Sequence, residues 1–133
     1  DVREIINELQ DKYELGIVTA RDRISFEAIL GLHQISVFFP YRRTLCCTLE
    51  RGYMIKPAAD ALNCLLKDTG HYIEDVIVVG DTTSDVMMAR NAGVKSIAVT
   101  WGLHPRDKLE SVQPTIFADK VSDLPKLIDR LFN

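Results

Sequence analysis

Apolar residues along the chain fall into two alternating patterns. Over residues 2–13, Val2, Ile5, Ile6, Leu9 and Tyr13 recur at three- and four-residue intervals, which predicts an amphipathic helix. Short unbroken apolar runs at 15–19 and 76–80 predict strands buried on both faces, as in a parallel sheet. Further strands are predicted at 35–39, where Pro40 ends the ladder, at 94–100, and at 115–118 as a short edge strand. Helical spacing returns at 24–32, with Asp22 or Ser25 available as a cap, at 108–112, and at 124–132. A helix over 57–68 is predicted to start on Pro57, whose missing N–H is harmless at the first helical position. It turns Ala61, Leu62, Leu65 and Leu66 inward and stops at Gly70. Residues 41–55 follow neither pattern; they are basic at Arg42, Arg43 and Arg51, with Gly52 as a turn.

Strands alternating with helices predict an α/β fold: a mostly parallel sheet with helices on both faces, joined by right-handed crossovers. The 133 residues contain no repeat, linker or low-complexity tract, so one domain is expected. In such a sheet the carboxyl ends of the strands share one rim, where ligands bind. Thr19, Lys56, Asp81 and the loop Thr100-Trp101-Gly102 are predicted to meet there.

The stretch Gly80-Asp81-Thr82-Thr83-Ser84-Asp85 carries the chemistry. Gly80 is expected to let the backbone turn after the strand, and Thr82, Thr83 or Ser84 to cap the helix that closes at Asn91-Ala92-Gly93. Asp81 and Asp85 would then lie beside a helix amino end, whose free N–H groups favour anions. Two hard oxygen donors in that setting suit a magnesium ion bridging to a phosphate. The structural alternative places Asp81 in a loop and Asp85 in a first helical turn. A dinucleotide-binding loop requires G-x-G-x-x-G, and this loop has one glycine. Thr19 is suited to donate to a phosphoryl oxygen and Lys56 to offset negative charge; their structural alternatives are a local hydroxyl bond and a solvated lysine.

Bulk properties narrow the classes. With 47% hydrophobic and 26% charged residues the chain is ordinary globular material. No apolar stretch approaches the ~20 residues of a membrane span, and no signal peptide opens the chain. A net charge of −3 without a basic block argues against nucleic acid as partner. Cys46, Cys47 and Cys64 are odd in number and lack metal-finger spacing, which predicts structural thiols in a reducing, cytoplasmic compartment. His33 and His71 are read as structural or solvated residues, and His104 and Arg106, beside the predicted rim, as ordinary surface residues with substrate contact as the alternative.

Three stretches together resemble the haloacid dehalogenase (HAD)-like phosphohydrolases, especially their phosphoglycolate-phosphatase-like branch. Gly16-Ile17-Val18-Thr19-Ala20-Arg21-Asp22-Arg23 is similar to the family's second motif, and Lys56-Pro57-Ala58-Ala59-Asp60 to its lysine motif, with Ala59 replacing a proline. Val79-Gly80-Asp81-Thr82-Thr83-Ser84-Asp85 resembles the acidic motif, followed by the expected Asn91-Ala92-Gly93 and Val99-Thr100-Trp101-Gly102. The resemblance implies a magnesium-dependent phosphatase of small phosphorylated metabolites. It makes Asp81 a magnesium ligand and Asp85 a second ligand or a water-mediated support. It makes Thr19, Ala20, Arg21 and Lys56 the phosphate-binding groups, with Lys56 also orienting the nucleophile. In the family an aspartate attacks phosphorus and the aspartyl-phosphate is then hydrolysed.

That aspartate lies in an Asp-x-Asp motif after the family's first, central strand, and this sequence contains neither. The resemblance therefore implies a carboxy-terminal piece of a longer phosphatase, without its cap and inactive by itself. Omitting a central strand would leave a slot of roughly 10 Å between the strands at 15–19 and 76–80, unless these pair directly. Unpaired edges there would invite self-association. The rival reading is a catalytically inactive phosphatase-like module that binds a phosphate or a partner protein. A phospho-accepting receiver domain shares the Thr, Lys and Asp inventory, but its acidic pair would precede the other two.

Overall fold

The computed structural model describes residues 1–39, 44–45 and 52–133. The basic positions Arg42, Arg43 and Arg51, the strand stop at Pro40 and the Cys46-Cys47 pair lie outside the described residues.

Asp1 caps the first helix, α1 (Val2–Gln10), by accepting a bond from the Arg3 amide at 3.0 Å. A two-residue strand, β1 (Ile17–Val18), leads to α2 (Arg23–Leu32), whose cap is Asp22 accepting from Ser25 N at 2.9 Å. A second short strand, β2 (Thr44–Leu45), lies parallel to β1. Next come α3 (Asp60–Thr69), β3 (Ile77–Gly80) and α4 (Thr83–Ala92). The chain ends with β4 (Lys95–Val99), α5 (Arg106–Glu110), β5 (Ile116–Ala118) and α6 (Leu124–Phe132). Gly70 and Gly93 close α3 and α4 in the left-handed conformation, each at φ 75°.

The strands form two parallel sheets, β1-β2 and β3-β4-β5, and β5 is an edge strand as its short apolar run suggested. Helices cover both faces of the larger sheet. On one face Ile97, Val99 and Ala118 pack with Leu9 of α1 and with Leu124 and Ile128 of α6. On the other, Leu62 and Leu66 of α3 pack with Met88 and Ala89 of α4, against Val76 and Val78. Ile77 faces the first cluster, so β3 sends successive side chains to opposite layers, as strand geometry requires. Asp129 of α6 accepts from Lys12 at 2.9 Å and from the Tyr13 hydroxyl at 2.5 Å, tying the end of α1 to the last helix. The Tyr13 hydrogen bond and that of Lys12 hold the Asp129 carboxyl below the usual carboxylate range.

Three expectations change. The run at 35–39 forms a single 3₁₀ turn, Ser36–Phe38, because the amides of Phe38 and Phe39 bond back to Ile35 and Ser36 at 3.1 Å. Phe38 is buried while Val37 is 81% exposed, so this run is not covered on both sides. Pro57 does not begin a helix: α3 starts at Asp60, and residues 55–58 make a turn closed by Ala58 N to the Ile55 carbonyl at 3.0 Å. That turn, and not a helix amino end, precedes α3 and carries Lys56 at the site. Finally, β3 is only half-buried, with Val79 42% exposed, although its neighbour β4 buries Ile97 completely. The cause is topological. β3 bonds to β4 along one edge, β1 bonds to β2, and among the described residues the two sheets are not joined.

Among the described residues no helix is long and apolar enough to cross a membrane. The difference between β3 and β4 sets a mutational contrast. Ile97→Ala should lower the unfolding free energy by about 3 kcal/mol, as for other filled cores, and Val79→Ala by less than about 1 kcal/mol. Urea titration of both variants measures the contrast.

Candidate active site

Asp85 is the most connected side chain at the carboxyl end of β3. Thr82 caps α4 and Asp85 is the third residue of its first turn, so the two close a reciprocal capping box. Asp85 Oδ2 accepts from Asp81 N at 3.2 Å, Thr82 N at 3.1 Å and the Thr82 hydroxyl at 2.8 Å. Its other oxygen, Oδ1, accepts from Lys56 Nζ at 2.6 Å. Asp85 is buried and the Lys56 side chain is mostly so. Burial by itself would push the Asp85 carboxyl up; the hydrogen bond and charge of Lys56, aided by Thr82, outweigh it and hold the carboxyl below the usual range.

Asp81 follows β3 directly and is half-buried. The loop after β4 folds over it: Leu103 N donates to Asp81 Oδ2 at 2.8 Å, and His104 N to the Asp81 carbonyl at 3.1 Å. Among the described residues its Oδ1 has no protein partner. His104 also accepts from Thr83 N through Nδ1 at 3.0 Å, which braces this loop against the start of α4. Arg106 binds Asp119 Oδ1 at 3.0 Å and lies over the Phe117 ring at 4.2 Å, so its contacts are structural.

Two glycines make room for the carboxylates, and pattern reasoning assigned neither of them this task. Gly80 was expected to serve a turn, but its φ is not positive; a Cβ there would lie 2.3 Å from Asp85 Cβ. A Cβ on Gly102 would lie 2.2 Å from Asp81 Cβ and 2.4 Å from its Oδ2. Each glycine is therefore required by the close approach of an aspartate. No local pattern in the sequence signals this, because the crowding atoms come from the next turn at Gly80 and from a different loop at Gly102.

The predicted site residues thus separate into two groups. Lys56, Asp81 and Asp85 meet, with Lys56 and Asp85 in direct contact. Thr19 follows β1 in the other sheet, and its hydroxyl oxygen accepts from Arg21 N at 3.2 Å. Ala20 and Arg21 are exposed beside it. Among the described residues no three His, Cys, Asp or Glu side chains converge as a ready-made metal cage. The donor chemistry nevertheless fits one hard cation at Asp81, whose Oδ1 is unbonded among the described residues and lies beside a helix start. Asp85 fits less well as a ligand, since both its oxygens are already engaged; its contacts orient Lys56 and the loop.

A family profile described as haloacid dehalogenase-like hydrolase matches residues 1–99. Pyrophosphatase PpaX of Bacillus mycoides is 33% identical over 131 residues, covering 98% of this chain and 59% of the relative. The chain thus spans under two thirds of the relative's length. A predicted phosphoglycolate phosphatase from Haemophilus somnus superposes with a TM-score of 0.83 at 25% identity, over 95% of this chain and 55% of that one. The HAD-hydrolase YfnB from Bacillus subtilis, bound to magnesium, superposes with a TM-score of 0.80 at 19% identity, over 96% of this chain and 54% of that one.

Two outcomes test the site geometry. Gly80→Ala should destabilise the fold by about 2 kcal/mol, since Asp85 must give way from its cap and its lysine; thermal or urea unfolding reads this. The depressed Asp85 carboxyl supplies stability that is present above its ordinary value of 3.8 and is lost as pH falls below it. The urea midpoint should therefore drop from about pH 5 to about pH 2, and the gap between wild type and Asp85→Asn should narrow over the same window.

Proposed function

The chain belongs to the haloacid dehalogenase-like hydrolases, and from that membership we propose that it forms the lysine- and metal-holding part of a magnesium-dependent phosphatase acting on small phosphorylated molecules. The carrying observation is the contact of Lys56 with Asp85, 2.6 Å apart, beside an Asp81 with one oxygen unbonded among the described residues. Asp81 would hold the magnesium ion, which when bound offsets negative charge on a phosphoryl oxygen. Asp85 is a positioning residue: it fixes the Lys56 amine and aligns the backbone of the β3–α4 loop. Lys56 retains two further N–H donors for a phosphoryl oxygen or an attacking carboxylate. Thr19, at the end of β1, would contribute its hydroxyl proton, with Ala20 and Arg21 beside the same phosphate. The substrate is a soluble metabolite, which suits a cytoplasmic setting.

The attacking carboxylate is proposed to come from outside these residues. Asp1 caps α1 and Asp22 caps α2 with its own carboxylate, so both carry structural tasks. The names of the relatives suggest two substrate classes, a phosphomonoester such as phosphoglycolate and the anhydride pyrophosphate.

Turnover of p-nitrophenyl phosphate, phosphoglycolate and pyrophosphate with magnesium tests the reading. The chain by itself is expected to show none, and the gene product extended upstream to an Asp-x-Asp motif to hydrolyse at least one. In the extended protein Lys56→Ala should lower kcat/KM by about 10²-fold or more. Turnover by the chain alone would overturn the assignment of the nucleophile. Absence of an upstream motif would favour an inactive phosphate- or partner-binding module.

A further inference from the structure

The loop after β4 reaches Asp81 without the support of burial. Trp101 is 45% exposed and Leu103 75% exposed, so apolar contacts do little to fix where this loop stands. Hydrogen bonds do that instead. At the start of the loop, the Thr100 amide donates to the Ala118 carbonyl at 3.1 Å and its hydroxyl to Asp119 Oδ1 at 2.8 Å. At its end the Leu103 and His104 amides donate to Asp81, and the His104 ring accepts from Thr83 N at 3.0 Å. The two bonds to Asp81 come from backbone amides, which any residue except proline supplies. The bond to Thr83 depends on the side chain at position 104. Since Thr83 N is a donor, Nδ1 must accept, and the proton of the neutral ring sits on Nε2.

We propose that His104 is a positioning residue that decides which oxygen Asp81 offers to a cation, an inference that rests on the phosphatase reading for what Asp81 holds. Thr83 is the first residue of α4, so its amide has no acceptor within the helix. Bonding that amide to His104 gives the loop a fixed point on a helix that starts two residues after Asp81. With the loop end fixed, the Leu103 amide stays 2.8 Å from Asp81 Oδ2 and occupies that oxygen. Oδ1 is then the oxygen presented to the cation, in an orientation already set before the cation arrives. Without the acceptor at position 104, the exposed Leu103 segment is free to leave Asp81. The carboxylate then turns freely, and binding a cation has to order both it and the loop. His104 touches no reacting atom in this role; it acts through the Leu103 amide.

Two substitutions separate this role from a general loss of stability. His104→Asn puts an amide oxygen at the branch position of Nδ1 and keeps an acceptor for Thr83 N; His104→Gln puts its amide at the Nε2 position and does not. In NMR spectra of the 133-residue chain, His104→Gln should speed hydrogen exchange of the Thr83 and Leu103 amides by about tenfold. The Asp81 and Thr82 amides, which donate to Asp85, should keep their wild-type rates. Magnesium chloride titrated against the Asp81 amide signal should reach its midpoint at about tenfold higher concentration in His104→Gln. His104→Asn should restore both readouts to wild type. Unchanged exchange or an unchanged midpoint in His104→Gln, or an Asn variant that behaves like Gln, would overturn the proposal. A wild-type Asp81 signal that ignores magnesium would instead overturn the assignment of the cation to Asp81, a failure of the phosphatase reading. The exchange rates need neither metal nor substrate, so the two failures are told apart.

Discussion

A buried carboxylate has to be fully compensated, and the site is arranged around how Asp85 meets that demand. Removing an ionised carboxyl from water costs several kcal/mol unless donors replace the lost hydration. Four donors do so here: two backbone amides, one hydroxyl and the Lys56 amine. Satisfying them requires the side chain to fold back over the end of β3, which leaves no space for a Cβ at Gly80. The same bonds fix the backbone on which Asp81 stands and draw the turn at 55–58 onto the sheet edge. One charge thereby sets the position of a lysine that lies 29 residues away in the chain.

Asp81 is held differently. It is less buried, is fixed by the Leu103 amide on one oxygen, and has its other oxygen free of protein donors among the described residues. The two aspartates are alike in sequence, yet environment divides them into a fully bonded anchor and a half-buried carboxylate with one oxygen unbonded among the described residues. Gly102 repeats for Asp81 the allowance that Gly80 makes for Asp85. The loop after β4 can reach over the site only because that position has no side chain. His104 then fastens the loop to the first turn of α4.

Backbone hydrogen bonding sets the second constraint. Every interior strand needs partners on both edges, and among the described residues β1 and β3 each have one. The helical layers on either side are present and each is packed within itself, so the gap has apolar walls and two polar edges. Thr19 leaves β1 on one side of this gap, while Asp81 leaves β3 on the other. The division of the predicted site residues between two sheets is a consequence of this topology.

Local physical chemistry was legible in the residues themselves. The amphipathic spacing of α1 and α6, the glycine stops after α3 and α4, the Asp22 cap and the run into Gly80-Asp81 depend on neighbours within a turn or two. So did the family, because its motifs are short and ordered. The short apolar run at 35–39 was ambiguous, since period alone does not separate a brief strand from a buried turn. Lys56-Pro57 is equally ambiguous, because proline suits both a turn and a helix start. Only the tertiary structure decided that Lys56 pairs with Asp85, that Gly80 and Gly102 yield space to carboxylates, and that β3 stays half-covered. Those outcomes depend on which distant segments share an edge or a cavity, and strand pairing and charge compensation are settled between elements rather than within them.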